Sequence, residues 1–294
     1  VLIVRMIADQ SGLETRLDAA MTALDEAGMP VAMAGMLEFC GDVLQLSFPH
    51  AELGPVRTIL DAHFGTCDML AADHLIELPR LLVSDMDSTM IGQECIDELA
   101  DYAGIKDQVS AITERAMRGE LDFGQALTER VGLLEGLGED AIARCLAERI
   151  APVQGARTLV ATLKSRGCRA VLVTGGFHHF ADAVGEQLGF DRVVGNRLAV
   201  AQEKLTGKLA GPISDATTKR ATLADERGQL GEGARVLAMG DGANDIPMLQ
   251  AADYGIAYCA KPKARDAANG RLESGDISAV LKLFDIPENE WVAR

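Results

Sequence analysis

Asp85 and Asp87 stand two positions apart at the end of Leu81-Leu82-Val83-Ser84-Asp85-Met86-Asp87-Ser88-Thr89-Met90. A second acidic turn, Gly240-Asp241-Gly242-Ala243-Asn244-Asp245, follows the apolar run Val236-Leu237-Ala238-Met239. In each case an apolar run delivers carboxylates into a turn of small residues, as a buried strand does when its tip opens into the cleft of a parallel sheet. A lone Asp-x-Asp reads more readily as a solvated turn or a helix cap. Two such strand ends, far apart in sequence, point instead to one divalent-metal site. An aspartate at a strand tip is a competent nucleophile toward phosphorus, because it forms acyl-phosphate intermediates. Asp87 is near enough to carry a proton. A phosphate ester would bring further negative charge to this pair, and like charges about 4 Å apart cost roughly 4 kcal/mol at an effective dielectric near 20. The chemistry therefore needs a cation, and Mg²⁺ suits an all-oxygen site in which the carboxylate of Asp241 is the further metal ligand.

Other residues could handle the phosphate itself. Val173-Thr174-Gly175-Gly176-Phe177 offers a hydroxyl and freely oriented N–H groups just before a helix, which suits phosphate oxygens, although an ordinary strand-to-helix turn has the same composition. Lys219 is expected to open a helix after Thr217-Thr218, against the preference for anions at helix N-termini. That misfit marks it as a candidate functional ammonium, with a solvated lysine as the default. His178 and His179 are adjacent, so on a helix they point about 100° apart and do not share one ion; surface or near-site packing is their expected role.

The elements that must position these groups follow from pattern and composition. The chain has 294 residues, 48% of them hydrophobic, and a formal net charge of -16. It is long enough for a large core and more than one domain. The acidic balance excludes a general nucleic-acid or anionic-membrane binder. Six cysteines without a Cys-x-x-Cys pair suggest neither a zinc site nor a disulfide framework, so reduced thiols in the cytoplasm are expected. The apolar start at residues 1–8 is too short for a membrane span and has no basic leader, so neither a signal peptide nor an anchor is expected. The lack of an initiator Met suggests that some N-terminal residues are absent.

Residues 1–78 read as strand, helix, strand, strand, helix, strand, a ferredoxin-like α+β domain of ACT-like pattern. It is expected to serve as a docking or dimerisation module, with a regulatory ligand site as the second reading. Residues 79–294 form the catalytic half. Its acidic strand is followed by four helical patterns over about 93–152, punctuated by Gly104, Gly119, Gly136 and Gly138, which read as a helical cap or lid. Helices and strands then alternate: helix 156–166, strand 170–173, helix 180–188, strand 192–194, a hairpin over 198–209, helix 219–226, strand 236–239, helix 244–251 and strand 255–258. That alternation predicts a three-layer α/β core around a parallel sheet.

Asp85-Met86-Asp87-Ser88-Thr89-Met90, Val173-Thr174-Gly175-Gly176, Lys219 and Gly240-Asp241-Gly242-Ala243-Asn244-Asp245 resemble, in that order, the motifs of the haloacid-dehalogenase-like phosphohydrolases. The resemblance covers roughly residues 80–285. Within that superfamily it is to the phosphoserine phosphatases, whose recognition segments are similar to Gly92-Gln93-Glu94-Cys95-Ile96-Asp97, Met117-Arg118-Gly119-Glu120-Leu121-Asp122-Phe123 and Leu127-Thr128-Glu129-Arg130-Val131. Thr174 stands where many members have Ser and keeps the hydroxyl. The resemblance implies a Rossmannoid, haloacid-dehalogenase-like fold and hydrolysis of O-phospho-L-serine, the last step of serine biosynthesis. It implies that Asp85 attacks phosphorus and ligates Mg²⁺. Asp87 would act as acid and then base while its backbone carbonyl binds the metal, and Asp241 would complete the protein ligands. Thr174, Gly175 and Lys219 would hold the phosphoryl oxygens with Asn244 nearby, and Asp245 would stand behind them. Glu94 and Arg130 would meet the ammonium and carboxylate of the substrate, with Met117 and Phe123 either walling the site or simply packing the cap.

Two rival readings remain at this level. The same core could act on another small phosphomonoester, with Glu94 and Arg130 as ordinary exposed helix charges. Alternatively, the chain could be an amino-acid sensor with a vestigial catalytic half. The expected partner is a small-molecule substrate, with neither nucleic acid nor membrane, and self-association into a homodimer would run through the N-terminal domain.

Overall fold

The computed structural model describes residues 1–118, 120–231 and 233–292. The first segment builds β1 (Leu2–Ile7), α1 (Leu13–Glu26), β2 (Met33–Met36), β3 (Val43–Phe48), α2 (Leu53–Phe64) and β4 (Met69–Ala72), with the strands ordered β2-β3-β1-β4 and antiparallel. Period-two alternation sorts the side chains by face. Leu2, Val4 and Met6 of β1, Leu44 and Leu46 of β3, and Met69 and Ala71 of β4 share one core with Ala20 and Leu24 of α1 and Val56 and Leu60 of α2. The intervening Val43, Leu70 and Ala72 join the core of the catalytic half instead.

The catalytic half begins with β5 (Leu81–Ser84). Four cap helices follow, α3 (Cys95–Tyr102), α4 (Lys106–Met117), α5 (Phe123–Gly132) and α6 (Asp140–Arg149). The chain continues through α7 (Ala156–Ser165), β6 (Arg169–Phe177), α8 (His178–Leu188), β7 (Arg192–Asn196), β8 (Leu198–Ala201), β9 (Lys204–Leu209), α9 (Ala216–Leu230) and β10 (Val236–Gly240). A 3₁₀ turn (Ala243–Asp245) leads to α10 (Ile246–Ala251), β11 (Tyr254–Tyr258), α11 (Pro262–Ala267), β12 (Gly270–Leu272) and α12 (Ala279–Leu283). Strands β12-β11-β10-β5-β6-β7 are parallel, so the tips of β5, β6 and β10 lie side by side at the centre. The fold is the expected three-layer α/β core with a helical cap.

The cap is tied down at two places. Ile91 bridges Pro152 at its base. The β8–β9 hairpin reaches the loop after α5, where Gly136 N–H donates to Leu205 O and Leu205 N–H to Leu137 O, both at 2.8 Å.

Three differences from the sequence reading have physical causes. Helix α9 begins at Ala216, not at Lys219, because Asp215 caps it by accepting from Thr218 N–H at 3.0 Å; Lys219 therefore lies a turn inside the helix. Strand β6 continues to Phe177 and α8 starts at His178, because the glycines of 174–176 bulge within the strand rather than ending it. Strand β12, absent from the pattern reading, is only three residues long and pairs antiparallel with β4 through Gly270↔Leu70 and Arg271↔Met69, which joins all ten strands into one sheet. Gly270 is needed there, since a Cβ would lie 3.0 Å from Met69 O and 2.9 Å from Ile256 Cγ1.

The seam between the halves also carries buried polar contacts. Arg271 is 1% exposed, grips Asp61 with both terminal nitrogens and donates through Nε to Cys67 O at 3.0 Å. Asp68 accepts from Glu273 N–H (2.6 Å) and Ser274 N–H (3.1 Å), and Lys282 reaches Asp42 at 2.9 Å. Asp61→Ala would strand the buried guanidinium and is expected to cost about 1.5 to 3 kcal/mol. Urea unfolding should show that loss, with far-UV and near-UV signals moving together because both halves share one sheet. A single-step loss confined to one probe would argue against the shared sheet.

Candidate active site

The central strand tips form the floor of a cavity of about 670 Å³. Asp85 is the first residue beyond β5, and its N–H extends the ladder to Met239 O at 2.9 Å. Its Oδ1 accepts from Met86 N–H at 2.8 Å and lies 2.7 Å from Lys219 Nζ. Lys219, with no exposed surface, also donates to Asp245 Oδ1 at 2.7 Å. The other oxygen of Asp245 accepts from the N–H groups of Asp241 (3.1 Å) and Gly242 (3.0 Å) and so shapes the β10 turn. Asp87 turns away from this group: Oδ1 accepts from Cys95 N–H at 2.8 Å, at the start of α3, and Oδ2 from Thr174 Oγ1 at 3.2 Å.

The charges are crowded and dry. Burial, and then the neighbouring Asp245, hold Asp85 well above the usual carboxylate range against the pull of Lys219. Burial also raises Asp87, despite the opposing hydrogen bonds from Cys95 and Thr174. Asp241 is pushed up to about 6 by burial, opposed by Lys261 and reinforced by Asp245. Burial alone would lower Lys219; the charges of Asp85 and Asp245 outweigh it and raise its pKa.

Carboxylate oxygens of Asp85, Asp241 and Asp245 lie within 4.8 Å of one another. Asp245 has both oxygens occupied by hydrogen bonds. The Asp241 carboxylate has only Lys261 nearby, at 3.8 Å, among the described residues. An all-oxygen, electron-rich pair formed by Asp85 and Asp241 fits a hard divalent cation.

The cap supplies the opposite wall. Glu94, Cys95, Ile96, Thr113, Leu121, Phe123, Leu127 and Arg130 face Gly175, Asn244 and Lys261 across the cavity. The ring of Phe123 closes over the glycine turn, for a Cβ on Gly175 would lie 3.1 Å from its Cζ. Arg130 donates Nε to Ala126 O at 3.3 Å, and among the described residues it forms no ion pair. Burial lowers its pKa, while Asp97, Glu94 and Asp87 act to raise it. Glu94 lines the cavity and keeps accessible surface, yet neighbouring protein crowds its carboxylate. That burial, and next Asp87, push its pKa up to about 7.

Of the residues singled out from sequence, Asp85, Asp87, Glu94, Phe123, Arg130, Gly175, Asp241 and Asn244 line this one cavity. Thr174 and Lys219 lie beneath its floor, fully buried. Asp245 is also buried and acts on the turn. Met117 ends α4, but its side chain lies outside the described residues, as does Gly119. His178 Nδ1 lies 2.7 Å from Asp182 Oδ1, one turn along α8. Ser88 and Lys261 were missed. Ser88 adopts φ 53°, a left-handed turn that brings its hydroxyl 2.8 Å from Glu94 Oε1. The capping pattern Asp215-x-x-Thr218 would have placed the α9 start correctly.

Fold and site together define a capped α/β hydrolase with an aspartate-based centre. Residues 82–250 match the family described as haloacid dehalogenase-like hydrolase, and residues 231–284 match a second family model of the same description. A phosphoserine phosphatase of Streptococcus thermophilus is 45% identical over 210 residues, which are 71% of this chain and 97% of that one. A haloacid-dehalogenase-family hydrolase from Salmonella enterica serovar Typhi superposes with TM-score 0.82 at 26% identity, over 98% of both chains. A phosphoserine phosphatase solved as a phospho-aspartyl intermediate analogue gives TM-score 0.65 at 37% identity, over 70% of this chain and 99% of that one. The chain belongs to the haloacid dehalogenase-like hydrolases, and within them to the phosphoserine phosphatase family.

The raised pKa of Glu94 has a defined sign. Its folded value of about 7 exceeds the ordinary 4.5, so its contribution to stability is fully present below pH 4.5 and is lost as pH rises to about 7. Glu94→Gln keeps the oxygen that Ser88 bonds and lacks this loss. In metal-free buffer, thermal unfolding should therefore show the variant gaining on wild type between pH 5 and pH 8. A difference independent of pH would contradict the assignment.

Proposed function

We propose that this chain hydrolyses O-phospho-L-serine to L-serine and inorganic phosphate, as the last step of a serine biosynthetic route. The observation that carries the reading is that Asp85 shares one cavity with both Glu94 and Arg130. An amino-acid phosphoester presents an ammonium, a carboxylate and a phosphate. A carboxylate, a guanidinium and a nucleophile with glycine N–H donors are their respective complements, and Arg can grip a carboxylate bidentately.

In the first step a carboxylate oxygen of Asp85 forms a bond to phosphorus while the bond from phosphorus to the serine oxygen breaks. Asp87 gives that oxygen its proton, and its raised pKa is the direction an acid needs. In the second step the Asp87 carboxylate takes a proton from water, whose oxygen attacks phosphorus as the aspartyl-phosphate bond breaks. Lys219 holds Asp85 in one orientation throughout. The turn at Gly175 and the side chain of Asn244 face the transferred group, where fixed donors are the main catalytic resource. Mg²⁺, held by Asp85, Asp241 and the backbone carbonyl of Asp87, would neutralise phosphoryl charge. Phe123 covers the turn at Gly175.

The cytoplasm and a homodimer belong to the same reading. All six cysteines are free, as suits a reducing compartment, and no helix among the described residues is long and apolar enough to cross a membrane. Strand β2 is the outer edge of the sheet and begins at exposed Met33, with exposed Phe39 just beyond its end, which offers the N-terminal domain as the dimer surface. Met33→Lys with Phe39→Lys should sediment as a monomer if that edge is used; an unchanged dimer would move the interface elsewhere.

Phosphate release from L-phosphoserine, phosphothreonine, a sugar phosphate and a nucleotide tests the reaction. Phosphoserine should be preferred, activity should vanish with EDTA, and Mg²⁺ should restore it. Arg130→Ala should lose roughly 10- to 150-fold in kcat/KM for phosphoserine, the loss of one hydrogen bond to a charged group. A broad profile indifferent to Arg130 would keep a phosphatase of another small monoester and discard this substrate.

A further inference from the structure

Two residues behind the cavity floor hold the glycine turn in shape, and neither touches the cavity. Pairing between β6 and β7 is in register at Val173↔Val194 and resumes at Phe177↔Asn196. Four steps along β6 thus oppose two along β7, and the surplus residues of 174–176 bulge from the strand toward the site. Gly195, opposite the bulge, leaves it room: a Cβ there would lie 3.1 Å from Thr174 Cγ2 and 3.2 Å from Gly176 O.

The carbonyls of the bulge are pinned from behind. Ser214 Oγ donates to Thr174 O at 3.0 Å, and Asn196 Nδ2 donates to Gly175 O at 2.8 Å. Asn196 Oδ1 in turn accepts from Ser214 N–H at 2.8 Å and Nδ2 also reaches Ser214 O at 3.4 Å, which ties the Asn196 amide to the Ser214 main chain. Asn196 is 1% and Ser214 4% exposed. A trans peptide is planar, so a carbonyl held on one side turns the next N–H to the other. The two bonds therefore set the N–H groups of Gly175, which lines the cavity, and of Gly176, which donates at 2.8 Å to the Thr174 hydroxyl that bonds Asp87. Ser214 also precedes Asp215, the cap of the helix that carries Lys219.

We infer that Asn196 and Ser214 are positioning residues for phosphoryl transfer: they orient the peptides of 174–176 as donors and tie that turn to the helix of Lys219. The inference rests on the phosphatase reading for its catalytic part only. Their function is preorganisation, since donors already aimed need not reorganise during reaction.

Asn196→Asp keeps size and replaces the Nδ2 donor with an oxygen facing two carbonyls. It should lower kcat for phosphoserine by about 100-fold, as loss of one fixed phosphoryl donor does. Inorganic phosphate binding in Mg²⁺ buffer, read by calorimetry, should weaken by about 10-fold or more in the same variant. Ser214→Ala should move both quantities in the same direction, and Ser214→Thr, which restores the hydroxyl, should recover most of each. Selectivity for phosphoserine over phosphothreonine should be unchanged in all of them. Wild-type kcat and phosphate binding in Asn196→Asp and Ser214→Ala would overturn the inference, as would losses in Ser214→Ala that Ser214→Thr does not recover. A wild type that binds phosphate and cleaves no ester would reject the phosphatase reading alone; weaker phosphate binding in the variants would then still support the positioning role.

Discussion

A lysine ammonium with no access to solvent, 2.7 Å from one oxygen of Asp85 and 2.7 Å from one of Asp245, is the interaction on which the site depends. Burying three charges is costly unless each is paired and hydrogen-bonded. Here the pairing is complete. Lys219 spends donors on both carboxylates, Asp245 uses its second oxygen on two N–H groups of the β10 turn, and Asp85 takes a further bond from Met86. Removing any member would leave a buried charge uncompensated, so the three side chains fix one another and, with them, the relative placement of the β5 and β10 tips.

The same arrangement creates a deficit of positive charge. The buried ammonium of Lys219 and the exposed one of Lys261 face four carboxylates, Asp85, Asp87, Asp241 and Asp245, and burial in that setting raises the pKa values of Asp85, Asp87 and Asp241. A hard cation relieves it, and so does division of labour: Asp85 and Asp241 face each other, while Asp87 is drawn off to Cys95 and Thr174, where a proton is useful. The cap then contributes what the sheet cannot. Strand tips provide closely spaced acids and glycine turns, and the cap adds Glu94, Arg130 and a ring that covers the glycine turn.

The N-terminal strands are part of the same sheet through β4 and β12. A domain joined this way cannot tumble independently, because its edge backbone groups are paired and the buried Arg271 crosses the seam to Asp61. Arg57 extends the connection, donating to Ala268 O at the end of α11, whose opening residue Lys261 donates its N–H to Asp241 O. The Asp241 turn and the N-terminal strands are thereby linked through contiguous bonded elements.

What the sequence determined by itself was local. Apolar runs ending in acids, glycines next to a hydroxyl, helical periodicity and ordered motifs place Asp85, Asp87, Thr174, Gly175, Asp241 and the cap, because each signal lies within a few residues and follows from strand, turn or helix geometry. The resemblance of those motifs to a known family carried Glu94 and Arg130 into the site before any distance was available. What only the tertiary structure decided was everything that depends on partners distant in the chain. Strand β12 has too few residues to carry a pattern and exists because β4 and β11 offer it hydrogen bonds. Lys219 is buried and paired because two aspartates from other segments surround it, and its depth in α9 follows from a cap at Asp215. Asn196 and Ser214 have nothing unusual in their sequence surroundings. Their role comes from facing the carbonyls of a bulge that itself exists only as a register mismatch between two strands. Pairing across the fold, with the desolvation that accompanies it, turns ordinary side chains into parts of a site, and no window along the chain contains both partners.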